Sequence, residues 1–277
     1  MIIAKDRITS RKNPIVMRAA SLSDKKSREE MGLFMAEGVK LFSEAVNAEL
    51  PIDSVLIDEE KFDTLLPMLK NELDGKKYEK TVIYLLSKSC FEKISTEKSP
   101  QGVIVIIKHL DFFKRCTKII EETFLNGDKK YSIILSSMRD PGNLGSVIRS
   151  AVAFGAERII ISDDCADIYN PKTVRAAMGS LFKVEVLISD DLCRTVSAIR
   201  NGGRRVFAAE LRENAVSLND IDLAPSDIMI IGNEGHGIPE ELSAACNGSV
   251  YIPISDRAES LNAAVAASIF IREQRLL

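Results

Sequence analysis

The chain has 277 residues, 45% of them hydrophobic and 28% charged, with a net charge of -3. That length and composition bury a full core and suggest two domains, while the near-neutral balance argues against a uniformly basic nucleic-acid binder. No run approaches the roughly 18 uninterrupted apolar residues of a membrane span, and no charged segment followed by an apolar one opens the sequence, so a cytoplasmic protein is expected. The five cysteines (Cys90, Cys116, Cys165, Cys193, Cys246) are scattered without a C-x-x-C pair and the chain has only two histidines. Neither a disulfide scaffold nor a metal site is expected.

The average charge hides a local exception at the start. Lys5, Arg7, Arg11, Lys12, Arg18, Lys25, Lys26 and Arg28 stand against Asp6 and Asp24 alone, eight basic residues to two acidic. Such a run is either a solvated face or a footprint for phosphates. From Asn13 to Glu49 the spacing predicts helix, loop, a strand at "LFMAEG" and a further helix. Strands are predicted at "SVLIDE", "VIYLLS" and "QGVIVIIK", giving a small α/β domain over residues 1–107. Phe112, Phe113, Cys116, Ile119, Ile120 and Phe124 recur at helical spacing, so 108–130 reads as a joining helix that stops at the polar turn "NGDKK".

From residue 131 strands and helices alternate: "YSIILSS", a helix Asn143 to Phe154, "RIIIS", a helix "PKTVRAAMGSLF", "KVEVLI", a helix "LCRTVSAIR", "RVFAAE", "DIMIIGNEG", "SVYIPI" and a final helix from about Ser260. This pattern predicts a second α/β domain over 131–277, with five or six mostly parallel strands covered on both sides.

Three stretches of this second domain carry candidate chemistry. In "RDPGNLGSVIRSAVAFGA" the pair Pro141-Gly142 reads as a turn and Asn143 as the helix N-cap. Leu144, Val147, Ile148, Ala151 and Val152 then form one apolar face, which leaves Arg149 on the other face, near a helix start that follows a strand. In α/β sheets a ligand site normally forms there. In "IIGNEGHGIP" a buried strand runs into Gly232, Gly235 and Gly237, with Glu234 and His236 between them. The glycines let a backbone approach closely, yet the spacing is that of neither a dinucleotide loop nor a Walker loop. In "YIPISDRAESLNAAVAASIF" a strand ends at Pro253 and Ser260-Leu261-Asn262 opens an alanine-rich helix.

Together and in this order, these stretches resemble the motifs of the SpoU (TrmH-type) branch of the SPOUT RNA methyltransferases. Asn143, Gly145 and Arg149 match the first motif, Gly232, Glu234, Gly235 and Gly237 the second, and Ile252, Pro253, Ser260, Leu261 and Asn262 the third. Ser255-Asp256 departs from the glycine usual just after the I-P pair. The N-terminal stretch, with Asn13, Pro14, Arg28, Phe34, Glu37 and Gly38, resembles the ribosomal-protein-like α/β/α domain that precedes many of these catalytic domains.

The resemblance implies a trefoil-knotted catalytic domain that transfers a methyl group from S-adenosylmethionine to a ribose 2'-hydroxyl, most often of ribosomal RNA. Methylation of transfer RNA, or a non-catalytic role in RNA binding and ribosome assembly, are the alternatives. It implies catalytic roles at Arg149, Asn143, Glu234, Ser260 and Asn262, and cofactor contacts at Gly232, Ile252 and Leu261. It implies RNA contacts at Arg7, Arg11, Lys12, Arg18, Lys25, Lys26 and Arg28, and a homodimer built through the catalytic domain. A guanidinium stays charged, so Arg149 is expected to stabilise the forming alkoxide or clamp a phosphate while the proton leaves through phosphate or water.

Overall fold

Apolar runs bounded by turn residues become strands, and capped amphipathic segments become helices, in a computed structural model that describes residues 2–3, 6–73, 76–110, 113–115 and 117–274. Lys5, Phe112 and Cys116 lie outside the described residues. The chain divides into two units: Met1–Leu110 with Asp167–Phe182, and Asp111–Ala166 with Lys183–Leu277. Residues 111–130, read from the sequence as a joining helix, therefore group with the second unit, and 167–182 group with the first.

In the first unit the elements run β1 (Ile2–Ile3), α1 (Pro14–Ser21), α2 (Lys25–Met31), β2 (Leu33–Glu37), α3 (Val39–Asn47), β3 (Ile52–Asp58), α4 (Phe62–Glu72), β4 (Val82–Leu86), α5 (Lys88–Ile94) and β5 (Val103–Lys108). Asn13 caps α1 by accepting from the Ile15 amide at 2.9 Å, with Pro14 at the first helical position where its missing N–H costs nothing. Asp24 caps α2 in the same way. The sheet order is β1-β4-β3-β5-β2, with β5 antiparallel to both of its neighbours. Val103–Ile107 are buried without alternation, as a central strand covered on both faces requires. Val16, Ala19, Leu22, Leu33, Met35, Phe91 and Ile104 belong to one core cluster on this sheet.

The chain continues with β6 (Phe113–Arg115), α6 (Thr117–Leu125), β7 (Ser132–Leu135), α7 (Pro141–Ala153), β8 (Arg158–Ser162), α8 (Pro171–Ala177), β9 (Glu185–Ser189), α9 (Leu192–Asn201), β10 (Val206–Ala209), β11 (Val216–Ser217), β12 (Ile228–Ile231), α10 (Glu240–Ala244), β13 (Gly248–Tyr251) and α11 (Ala263–Glu273). Among the described residues the second unit's sheet has eight strands rather than five or six, in the order β11-β13-β10-β12-β7-β8-β9-β6, and each pairing is parallel. The two extra strands are short edge strands. One of them, β6, takes residues expected in a helix, because pairing to β9 supplies backbone hydrogen bonds that helical spacing cannot reveal.

Three helix boundaries also differ from the sequence reading. Pro141 and Gly142 are helical, Asp140 is the N-cap of α7 by accepting from the Asn143 amide at 2.8 Å, and Asn143 stands inside the first turn. The last helix starts at Ala263 with Asn262 as its cap, not at Ser260. The helix "PKTVRAAMGSLF" stops at Ala177, where Met178 turns left-handed (φ 50°), and a short 3-10 turn follows at Ser180–Lys183.

From β7 the chain moves outward through β8 and β9, then returns to lay β12 on the other side of β7. The order reverses between β7 and β12, and in open parallel sheets a crevice forms beyond the strand carboxyl ends at such a reversal. The loops after β7 and β12 carry the first and second motifs.

Candidate active site

Asp140 and Pro141 start α7 directly after the β7 loop, and burial of Leu144, Val147, Ile148 and Ala151 fixes the helix rotation. Asn143 thereby faces the loops from β12 and β13. Its Nδ2 donates to Glu234 Oε1 at 2.6 Å, and its Oδ1 accepts from Asn262 Nδ2 at 3.0 Å. Asn262 Oδ1 meanwhile accepts from the Ala264 and Val265 amides, as the cap of α11. One residue from each motif thus joins a single hydrogen-bonded chain, Glu234–Asn143–Asn262, with a carboxylate at one end and a helix cap at the other. Ser268 Oγ bonds Ser150 Oγ at 2.8 Å and ties α11 to α7 further along.

Arg149 is exposed and forms no hydrogen bond or ion pair with any described residue. A free guanidinium on the same helix as Asn143 is available to an anionic or developing negative group. Ser260 is exposed too, with no side-chain hydrogen bond among the described residues.

Beyond the ends of β10 and β13 a cleft of about 380 Å³ opens, lined by Tyr251, Ile252, Ile254, Ser260, Leu261, Ala266 and Phe270, with Glu210, Asp256 and Glu259 at its polar positions. Of the three residues expected to hold a cofactor, Ile252 and Leu261 line this cleft. Gly232 does not, and its lack of a side chain has an internal cause. A Cβ there would lie 2.5 Å from the Gly237 carbonyl carbon, because the loop folds back on itself through paired Asn233–Gly237 backbone bonds at 3.1 and 3.0 Å.

Asn233 and Ser137 were not singled out by the sequence reading, although an asparagine two residues before a glycine is a recognisable turn former. Asn233 Oδ1 accepts from the Gly235 and His236 amides, and its Nδ2 donates to the Ser137 carbonyl at 2.7 Å. Nearby, burial raises the Asp164 carboxyl pKa, but hydrogen bonds from Ser162 and Ser137 and the Arg139 guanidinium outweigh it and hold the group below the usual range. Burial pushes the Cys165 thiol up, which makes it a poor nucleophile.

In the first unit the basic run separates into different environments. Arg11, Lys12 and Lys25 are exposed and in no ion pair among the described residues. Arg7 pairs with Glu59, Arg18 with Asp53 at 3.2 Å, and Lys26 with Glu30 at 3.8 Å, all at the surface. Arg28 is not on that surface. It is 2% exposed, donates to Asp167 Oδ2 at 2.5 and 3.1 Å and to the Leu22 carbonyl at 2.7 Å, and so holds the fold instead of a phosphate. Among the described residues no group of three or more His, Cys, Asp or Glu is placed to hold a metal, and no helix is long and apolar enough to cross a membrane.

A parallel sheet with a polar chain and a cleft at the strand carboxyl ends defines an α/β protein of the open-sheet class. The family model for the SpoU rRNA methylase family matches residues 130–272, and the chain belongs to that family. A second model, described as an MRM3-like substrate binding domain, matches residues 13–105. The chain is 30% identical to the 23S rRNA (guanosine(2553)-2'-O)-methyltransferase RlmP of Bacillus subtilis, covering 97% of this chain and 99% of that one. It is 31% identical to the 23S rRNA (uridine(2479)-2'-O)-methyltransferase of Streptomyces viridochromogenes, covering 98% and 92%. Among solved structures, the AdoMet-bound rRNA methyltransferase from Sinorhizobium meliloti superposes with a TM-score of 0.82 at 28% identity, covering 99% of each chain.

Proposed function

We propose that this chain transfers the methyl group of S-adenosylmethionine to a ribose 2'-hydroxyl of ribosomal RNA. The observation that carries the proposal is the Glu234–Asn143–Asn262 chain, which joins all three motifs and runs through the helix cap that directly follows the cleft residues Ser260 and Leu261. Both full-length relatives are named for the same reaction on 23S rRNA, which favours ribosomal over transfer RNA and a working enzyme over a binding factor.

The cleft suits the cofactor. Its volume lies within the range of small-molecule sites, apolar Ile252, Ile254 and Leu261 offer faces for an adenine, and Glu210, Asp256 and Glu259 suit a cationic ligand. When bound, the cofactor supplies an electrophilic methyl on a sulfonium. Gly232 contributes by letting its loop close on itself.

Arg149 stabilises the charge that builds on the ribose oxygen or grips the adjoining phosphate, since a guanidinium donates and does not accept. The proton leaves through phosphate or water. Asn143, fixed in orientation by Glu234 and Asn262, presents its turn of α7 toward the substrate. Ser260 stands free at the cleft edge, where a substrate or a partner subunit can engage it.

The proposal extends to a trefoil knot at the carboxyl end, a homodimer, and the cytoplasm, where ribosomal RNA is found. The exposed apolar residues Leu261 and Val265 at the start of α11 support a self-contact there. Arg11, Lys12 and Lys25 are the free cations placed to meet phosphates. Mapping 2'-O-methyl positions in ribosomal RNA from cells with and without the protein tests the reading, which requires the loss of one methylated ribose. Unchanged maps together with no calorimetric binding of S-adenosylmethionine would overturn it.

A further inference from the structure

Ser137, the second residue past β7, is one of three described residues other than glycine with a positive φ, at 54°. A left-handed serine is strained and persists only where its surroundings hold it, and such residues gather at functional sites. Each of its polar groups is engaged. Its amide donates to Ser162 Oγ at 2.8 Å, its hydroxyl donates to Asp164 Oδ2 at 2.7 Å, and its carbonyl accepts from Asn233 Nδ2 at 2.7 Å.

On the other side of the junction, Asn233 has Glu234 as its next residue. Its Oδ1 gathers the Gly235 and His236 amides at 2.8 and 3.1 Å, and its backbone pairs with Gly237. Glu234 itself is exposed and has one described hydrogen-bond partner, the Nδ2 of Asn143. The carboxylate is therefore set by the backbone of its loop, and that backbone is set by Asn233.

We infer that Asn233, latched to the strained carbonyl of Ser137, is a positioning residue for methyl transfer: it acts through Glu234 to hold Asn143 in register and touches neither donor nor acceptor. The inference rests on the reading that the Glu234–Asn143–Asn262 chain serves the reaction. Asn233 does not line the cleft, so its loss acts on turnover rather than on donor binding.

The test is a kinetic cycle on the full-length protein, with ribosomal RNA fragments as acceptor and calorimetry for S-adenosylmethionine. Asn233→Ala should lower kcat by about 100-fold, the cost of a misplaced reacting geometry, with donor affinity within about twofold of wild type. Glu234→Ala should cost a similar factor, and the double variant at most about threefold more, because both lesions break one path. Asn233→Asp preserves the acceptor for Gly235 and His236 and replaces the donor to Ser137 by a carboxylate oxygen that repels that carbonyl. It guards against a misfolded Ala variant and should also lose at least about tenfold in kcat.

Multiplicative losses in the double variant would overturn the inference, as would wild-type kcat in Asn233→Asp, because either result severs Asn233 from Glu234 or from the latch. Wild-type kcat in Glu234→Ala would instead overturn the reading of the site itself. The two failures are thereby told apart.

Discussion

At Arg28 and Arg149 one side-chain chemistry serves two ends. Arg28 spends three hydrogen bonds inside the first unit, on a carboxylate and a carbonyl, at 2% exposure. Its replacement by alanine leaves Asp167 facing a cavity without its partner. Arg28→Ala should lower unfolding stability by about 3 kcal/mol in chemical denaturation, at the low end for a broken buried pair because Asp167 retains some solvent access. Arg149 has no partner among the described residues, so Arg149→Ala should leave the melting temperature unchanged. Its turnover should fall by at least about 100-fold with S-adenosylmethionine affinity preserved. A variant with wild-type rate would remove Arg149 from the mechanism.

Among elements, the carboxyl end of β5 carries a pH-sensitive group. The His109 ring stacks on Tyr169 with centroids 4.2 Å apart and an interplanar angle of 10°, and its Nε2 is buried without a hydrogen-bond partner among the described residues. Burial lowers its pKa below the ordinary 6.5, against the opposing pull of Asp167. The folded state therefore resists a proton that the unfolded chain accepts. Stability is full above the unfolded value of 6.5 and is lost as pH falls below it toward the depressed folded value. His109→Gln should flatten the part of the profile below about pH 6.5 in denaturant titrations. An equally steep acid loss in the variant would assign the effect to carboxylates instead.

For the whole molecule, the first unit is not completed by the amino-terminal residues alone. Phe34 packs on Tyr169 at 4.5 Å and on Phe182 at 6.3 Å, Leu110 donates its amide to the Tyr169 hydroxyl at 2.8 Å, and Arg28 requires Asp167. A fragment of residues 1–110 loses all of these, so it should melt without a cooperative transition while the full chain melts cooperatively. A sharp thermal transition for the fragment would count against the division of the chain at 167–182. Light scattering of the intact protein at micromolar concentration should give a dimer mass, and Val265→Glu should shift it toward monomer. A wild-type monomer would refute the proposed self-contact.

Much of this was readable beforehand because it is local. Long β-branched runs such as "VIVIIK" have no option but a buried strand, and the apolar stripe of α7 predicted which face Arg149 would avoid. The order of the three motifs points to the family without any tertiary contact. What was not readable depends on partners distant in the chain. Asp140 rather than Asn143 caps α7, since a helix boundary is a contest among several polar residues that local sequence leaves undecided. Phe113–Arg115 is a strand only because β9 lies beside it. Arg28 looked like part of a phosphate footprint because its partner Asp167 stands 139 residues away.

The sequence by itself determined the alternation of strands and helices, the family and the residues of the polar chain, because periodicity and motif spacing are properties of neighbouring positions. Tertiary structure alone decided that Arg28 is buried, why Gly232 cannot carry a side chain, and how Ser137 and Asn233 meet. Those facts are set by approaches between segments far apart in the chain, where a few ångströms separate a hydrogen bond from a clash.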